Sequence, residues 1–228
     1  MAMKLENVVP FGRSLDEYKK MFALSERELS LNILGVADGP ASFNAELSAL
    51  GGRATSVDPL YVFQAPQIKA RFDEVLDHII AQVEATPADW VWSYHGSPAG
   101  LRANRIRVTD TFIADFGRRR DSGCYLAGEL PELPFSDRQF DLALCSHFLF
   151  LYSEHFSLEF HRASIREMLR VAGEVRIFPL LTLMLEKSPH LAAIHEVLTK
   201  ENYVLEIRQV EYELQKGGNQ MLVIKSGK

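Results

Sequence analysis

Small and polar residues follow the first apolar run of the chain, in the turn that leads into a helix. The run covers residues 31–36, and Gly39 and Pro40 end it. Open α/β sheets bind ligands at the carboxyl ends of strands, beside a helix N-terminus with free N–H groups. Asp58 ends the next apolar run, 19 residues after Gly39, where a carboxylate can accept both hydroxyl protons of a ribose. The spacing predicts a nucleotide-cofactor site, although a plain turn in which Asp58 only caps the backbone stays open.

A second group of polar side chains lies among large apolar residues in the segment 145–156. His147 is the first candidate for a general base, because the ordinary pKa of histidine lies close to neutrality, and Tyr152 is the second. The alternative for His147 is a core histidine bonded to a backbone carbonyl. His155 and His161 lack a third ligand at helical spacing, so we predict no metal site and expect both at the surface.

The elements that must position these residues alternate along the chain. Short apolar runs predict five strands, at residues 31–36, 54–58, 124–127, 140–145 and 175–178. Amphipathic or capped segments predict helices at residues 14–30, from Ala41, over 68–83, near 108–116, over 158–169 and from Ser188. Two further strands, 203–214 and 220–225, predict a hairpin across residues 216–219. The pattern predicts a doubly wound, Rossmann-like α/β fold: a mostly parallel seven-stranded sheet with an antiparallel C-terminal hairpin and helices on both faces.

Composition and charge narrow the function classes. The 228 residues are 47% hydrophobic and 24% charged, which excludes a disordered chain or a coiled coil. The net charge of −5 argues against a general nucleic-acid binder. Cys124 and Cys145 form no CxxC pair, so a reduced, cytoplasmic location is expected. No run approaches the roughly 20 apolar residues of a membrane span, and no N-terminal stretch has signal-peptide character.

Three later segments resemble class I S-adenosylmethionine-dependent methyltransferases. Residues 130–144 carry a Leu-Pro-Phe turn and a Phe-Asp pair that lead into the fourth strand, and residues 167–171 are similar to the helix before the fifth. The late hairpin matches the antiparallel final strand of that family. The resemblance spans roughly residues 31–225. It implies an S-adenosylmethionine-binding domain over 31–228 behind an N-terminal helical lid over 1–30, and methyl transfer to a small-molecule acceptor.

The resemblance also implies roles for individual residues. Gly39 lets the backbone approach the methionine and ribose part of the cofactor, and Asp58 binds the ribose hydroxyls. Glu129 accepts a hydrogen bond from the adenine amino group, while Leu130 packs against the adenine ring. Ser146 and His147, at the end of the fourth strand, are implied to face the methyl donor.

The turn departs from the family pattern at several positions. The family usually has an acidic residue where Gly35 stands and glycines where Ala37 and Ala41 stand. Gly35 and Ala37 are still expected to contact the cofactor, but Gly35 brings no carboxylate and Ala37 adds a methyl group. Asp38 is expected to supply the missing carboxylate to the methionine ammonium, the alternative being a solvated turn residue. Both alanines are expected at negative φ, because alanine at positive φ costs about 1–2 kcal/mol. Arg13 is expected to bind the methionine carboxylate.

Other interpretations stay open. The altered glycine turn favours a non-catalytic binding or scaffold protein, whereas the polar segment 145–155 disfavours it. A nicotinamide-dependent oxidoreductase lacks its full glycine fingerprint here and leaves the closing hairpin unexplained. Trp90, Trp92 and Tyr94 fit either a substrate pocket or a loop anchor. Basic residues diluted by aspartates are expected on a solvated face: Arg102, Arg105, Arg107 and residues 118–120.

Overall fold

A computed structural model describes residues 9–227, so the first eight residues of the predicted lid lie outside the described range. Seven strands form one sheet: β1 (Asn32–Val36), β2 (Arg53–Val57), β3 (Tyr125–Leu126), β4 (Phe140–Ser146), β5 (Ala172–Phe178), β6 (Tyr203–Gln209) and β7 (Gln220–Ser226). Their order across the sheet is β3-β2-β1-β4-β5-β7-β6. The first five strands are parallel, and β7 is antiparallel to both β5 and β6. The predicted fold class is therefore confirmed.

Within residues 9–227, six α-helices surround the sheet: α1 (Leu15–Met21), α2 (Phe43–Ala49), α3 (Ala65–Ala85), α4 (Pro98–Arg119), α5 (Leu158–Val171) and α6 (Leu191–Lys200). Helix α1 begins with the predicted capping box, in which the Ser14 hydroxyl accepts from the Glu17 N–H and the Glu17 carboxylate accepts from the Ser14 N–H. In the described chain, 9–227, no helix has the length and apolar character needed to cross a membrane.

Strand β4 is the central strand of the sheet and is buried on both faces. Leu142 and Leu144 join the apolar cluster under α1, α2 and α3, whereas Ala143 and Cys145 join the cluster under α5 and α6. Successive side chains of a strand point to opposite faces, so its continuous apolar run packs both layers at once.

Two predicted elements are shorter in the structure. The first helix ends at Met21 rather than near residue 30, and Ala23 follows with a left-handed φ of 47° that an α-helix cannot continue through. Strand β6 ends at Gln209, because the chain beyond it pairs elsewhere. The N–H of Val91 donates to the carbonyl of Leu214 at 2.8 Å, so this segment packs against the loop before α4.

Candidate functional site

A cavity of about 700 Å³, which we call the main cavity, opens at the carboxyl ends of β1, β2 and β4. These ends meet because Val36 of β1 stands in register with both Val57 of β2 and Cys145 of β4. The predicted site residues that line it are Arg13, Ala37, Asp38, Gly39, Asp58, Glu129, Leu130, Ser146 and His147. The fold thus gathers residues from five separate stretches of the chain.

The carboxylate of Asp58 connects the turn after β1 with the turn after β2 through hydrogen bonds. Its Oδ2 accepts from the Gly39 N–H at 2.8 Å and its Oδ1 accepts from the Leu60 N–H at 2.8 Å. A carboxylate has about four acceptor positions, so further positions stay open on the cavity side. Burial raises the pKa of Asp58 to about 6. The backbone-capping role left open by the sequence is therefore real, and it is compatible with ligand binding.

Asp38 folds back over β1 and is not a solvated turn residue, since it is only 5% exposed. Its Oδ1 accepts from the Tyr18 hydroxyl at 2.5 Å and its Oδ2 accepts from the Ser56 hydroxyl at 2.6 Å. Burial, with a smaller contribution from the nearby Asp58 charge, raises the pKa of Asp38 to about 6. Two carboxyl groups with raised pKa values therefore border one end of the main cavity.

The predicted negative φ of Ala37 is wrong, because its φ is 55°. The Ala37 N–H donates to the Val57 carbonyl at 2.9 Å, which extends the β1–β2 ladder by one residue and forces the chain to turn immediately afterwards. Ala41 has no such conformation. Gly39 also has a φ of 55°, and a side chain there would meet no atom within 4 Å. The backbone at Gly39 is therefore open to a ligand, as predicted.

His147 occupies the equivalent position after β4. Its φ is 52°, a left-handed conformation, and its N–H donates to the Phe178 carbonyl at 2.6 Å. The ring Nδ1 lies 2.9 Å from the Ser146 Oγ, and the ring packs edge-on against Phe178 and Tyr212. Burial, followed by the positive charges of Arg13 and Arg105, lowers the pKa of His147 well below its usual range. The imidazole is consequently neutral near neutral pH.

Tyr152 lies away from the main cavity. It is 2% exposed, and its hydroxyl accepts from the Val9 N–H at 3.3 Å. It lines a smaller cavity of about 90 Å³, which we call the deep cavity. Both cavities share four lining residues: Val9, Phe11, Arg13 and His147.

The remaining predicted cofactor residues differ in exposure. Glu129 is exposed at the rim of the main cavity, while Leu130 is buried beside it. Gly35 does not line the main cavity, because the Asp38 carboxylate covers it: a Cβ at Gly35 would lie 1.9 Å from Asp38 Oδ2.

Two surface predictions are wrong. Arg105 is 1% exposed, and its guanidinium makes two hydrogen bonds to Glu17, at 2.8 and 3.0 Å. His161 is fully buried, and its two ring nitrogens lie 2.9 Å from the Ser157 carbonyl and 2.8 Å from the Leu149 carbonyl. Each side chain is buried because a polar partner from another segment satisfies it.

Sequence reasoning also missed Leu60 and the buried carboxylate Glu17. The capping box marked Glu17 only as a helix-terminal residue. Trp90 packs against the apolar core, as a loop anchor would, and it also lines the deep cavity. Over residues 9–227, no group of three or more His, Cys, Asp or Glu side chains is arranged to hold a metal ion.

The strand order, with antiparallel β7 between β5 and β6, agrees with the mostly parallel sheet and antiparallel C-terminal hairpin that the sequence predicts. The chain belongs to the family of the uncharacterized protein MJ0045 from Methanocaldococcus jannaschii, to which it is 34% identical over 224 residues, 98% of either chain. No family model matches the chain.

Solved structures with a similar fold share little sequence identity with this protein. The PH0226 protein from Pyrococcus horikoshii OT3 is 12% identical, with a TM-score of 0.49 over 93% of this chain and 89% of that one. Magnesium protoporphyrin IX methyltransferase from Synechocystis PCC 6803, solved with bound S-adenosylmethionine, is 14% identical, with a TM-score of 0.49 over 93% of this chain and 78% of that one.

Proposed function

We propose that the protein is an S-adenosylmethionine-dependent methyltransferase that acts on a small-molecule acceptor. The observation that carries the proposal is the pair of carboxyl groups of Asp38, which is buried, and Asp58, which is half-buried, beside the open backbone of Gly39. This arrangement suits a ligand with a cationic amino-acid end and a ribose diol. When bound, the cofactor supplies a methyl group activated on a sulfonium.

Asp58 and Asp38 bind different parts of the cofactor. Asp58 keeps free acceptor positions for the ribose hydroxyls, while its bonds to Gly39 and Leu60 fix its orientation. Asp38, held by two hydroxyl donors, offers its negative charge to the methionine ammonium. Leu130 provides apolar surface for the adenine ring, and Glu129 provides an acceptor at the rim for its amino group.

At the other end of the main cavity, His147 takes the proton that the acceptor loses. Its neutral ring can accept a proton at Nε2 when Nδ1–H donates to the Ser146 Oγ. Burial and the two arginines make it a weaker base than an ordinary histidine. In-line methyl transfer depends mostly on positioning, which the left-handed backbone at His147 provides by fixing the ring after β4.

Calorimetric titration of the purified full-length protein tests the cofactor assignment. S-adenosylmethionine and S-adenosylhomocysteine should bind, whereas a nicotinamide dinucleotide should not. Asp58→Asn should weaken binding of S-adenosylhomocysteine at least tenfold, because hydrogen bonds to a charged group contribute about 1.5–3 kcal/mol. Asp121→Asn, an exposed carboxyl remote from the main cavity, is the matched control and should bind normally. Binding of the dinucleotide alone would overturn the proposal.

A further inference from the structure

Arg13 lies at the boundary of the two cavities and lines both of them. The residue is 9% exposed. Its Nη1 donates to the carbonyls of Phe11 at 2.6 Å and Gly12 at 3.2 Å. Its buried Nε has no hydrogen-bond partner, and among residues 9–227 no hydrogen bond is made by its Nη2. A guanidinium has five N–H donors, so most of the donors of Arg13 remain free to bind a ligand.

The nearest carboxylate cannot satisfy Arg13, because other donors already saturate it. Glu17 accepts two bonds from Arg105 and one from Tyr212, at 2.8 to 3.1 Å. It also accepts from the Ser14 backbone and hydroxyl and from Asn104. The Arg13 Nε therefore stays 3.9 Å from Glu17 Oε1, beyond hydrogen-bond distance.

Among residues 9–227, the buried cluster around Glu17 consequently holds one positive charge in excess. Arg13 and Arg105 are both charged, whereas Glu17 is the one carboxylate of this described range that contacts them. The two neighbouring histidines add no charge, since burial and the arginines lower the pKa of His95 to about 3 and that of His147 well below its usual range. A buried charge without a partner is costly, so an anion is the ligand that this end of the deep cavity favours.

The rest of the deep cavity is small and mostly apolar. Tyr152 and Gln215 add polar groups to walls that are otherwise aliphatic or aromatic: Phe11, Ile79, Val83, Leu101, Leu151, Leu183, Leu214 and Trp90. A volume of about 90 Å³ leaves room only for a compact body. His147, the proposed proton acceptor, stands at the same boundary as Arg13.

We propose that the deep cavity is the acceptor site and that it takes a small carboxylic acid whose carboxylate pairs with the free donors of Arg13. Its compact body is otherwise apolar and carries one hydroxyl or amine, which takes the methyl group from the sulfonium and loses its proton to His147. The acceptor role rests on the proposed methyltransferase function, whereas the anion site does not. The resemblance implied instead that Arg13 binds the methionine carboxylate of the cofactor. In that case, bound S-adenosylhomocysteine should block anion binding at Arg13. If Arg13 binds the acceptor, anion binding should persist when S-adenosylhomocysteine is bound.

Titration with isobutyrate and its neutral isostere isobutyramide tests the proposal on the full-length protein, with and without saturating S-adenosylhomocysteine. Isobutyrate should bind the loaded protein at least tenfold more tightly than isobutyramide. Arg13→Met should abolish this preference and leave isobutyramide binding unchanged, and Arg13→Lys should keep part of it. Arg102→Met, on the exposed side of α4, is the matched control and should behave as wild type.

The possible outcomes separate the two proposals. Equal binding of isobutyrate and isobutyramide, or binding of neither, would overturn the anion site. Loss of isobutyrate binding when S-adenosylhomocysteine is present would mean that Arg13 binds the cofactor carboxylate, and it would overturn the acceptor assignment. Arg13-dependent isobutyrate binding by a protein that does not bind S-adenosylhomocysteine would support the anion site and contradict the methyltransferase function.

Discussion

The carboxylate of Asp38 fills the space that a side chain at Gly35 would occupy. A Cβ at Gly35 would lie 1.9 Å from Asp38 Oδ2 and 2.4 Å from its carboxyl carbon. The absence of a side chain at residue 35 is thus what allows a carboxylate three residues later to lie over the end of β1. Tyr18 and Ser56 then hold that carboxylate from two other elements.

Gly35→Ala should displace the Asp38 carboxylate. Overpacking of a closed site costs about 1–3 kcal/mol, and the loss of the Tyr18 and Ser56 bonds adds to it. Denaturant unfolding should show this destabilisation, and titration should show weaker binding of S-adenosylhomocysteine. Gly117→Ala is the control, because a Cβ there meets no atom within 4 Å in mid-helix α4, and it should stabilise the protein by about 0.5–1 kcal/mol. A fully stable Gly35→Ala variant would contradict the packing described here.

Glu17→Gln should destabilise the protein strongly, because it leaves Arg105 buried without its charged partner. Removing one partner of a buried ion pair costs about 3–5 kcal/mol. Urea unfolding at neutral pH measures the loss. Glu26→Gln removes an exposed carboxylate that pairs with Lys19, so its effect should stay below about 1 kcal/mol. Similar effects of the two substitutions would mean that the Glu17 cluster is not closed to water in solution.

Cofactor affinity should fall as the pH drops below about 6. The pKa values of Asp38 and Asp58 are both raised to about 6 by burial, and only their ionised forms can serve an ammonium and a ribose diol. Affinity for S-adenosylhomocysteine should decline by up to about tenfold per pH unit for each proton that binding must displace. Titrations from pH 7.5 to 5 measure this slope, and Asp38→Asn should flatten it.

The same two carboxyl groups should make the ligand-free protein less stable as the pH rises, whereas cofactor affinity increases as the pH rises. Their folded pKa values lie above the unfolded values, so the stability they contribute is complete below about pH 3.8 and is lost as the pH rises to about 6. The free energy of unfolding of wild type, measured relative to Asp38→Asn, should therefore decrease between pH 4 and 6. A difference that is constant with pH would show that Asp38 is ionised throughout.

His147→Asn tests the proposed proton acceptor without adding backbone strain, since asparagine tolerates the left-handed φ of 52°. Loss of a positioned base lowers kcat by about 100- to 10,000-fold. An acceptor identified by consumption of S-adenosylmethionine provides the assay. Affinity for S-adenosylhomocysteine should change little. A raised KM with an unchanged kcat would instead mean that His147 only holds the acceptor.

The regular part of the fold was predictable because hydrophobic periodicity is local. The continuous apolar run at β4 predicted a strand buried on both faces, and the structure confirms it. The left-handed φ of Ala37 was not predictable, since the residue lies where the β1–β2 ladder ends and its N–H bonds to Val57 on another strand. Burial of Arg105 was missed for a similar reason: its partner Glu17 lies 88 residues away, and the local sequence shows only mixed charges.

Val9, Phe11, Arg13 and His147 border both cavities, which makes their occupants thermodynamically linked. Any ligand that orders this shared wall from one side changes the free energy of binding on the other side. Reciprocity then requires that each ligand alter the affinity of the other by the same factor. The order in which two ligands enter can change the rate at which a ternary complex forms, but not its final free energy.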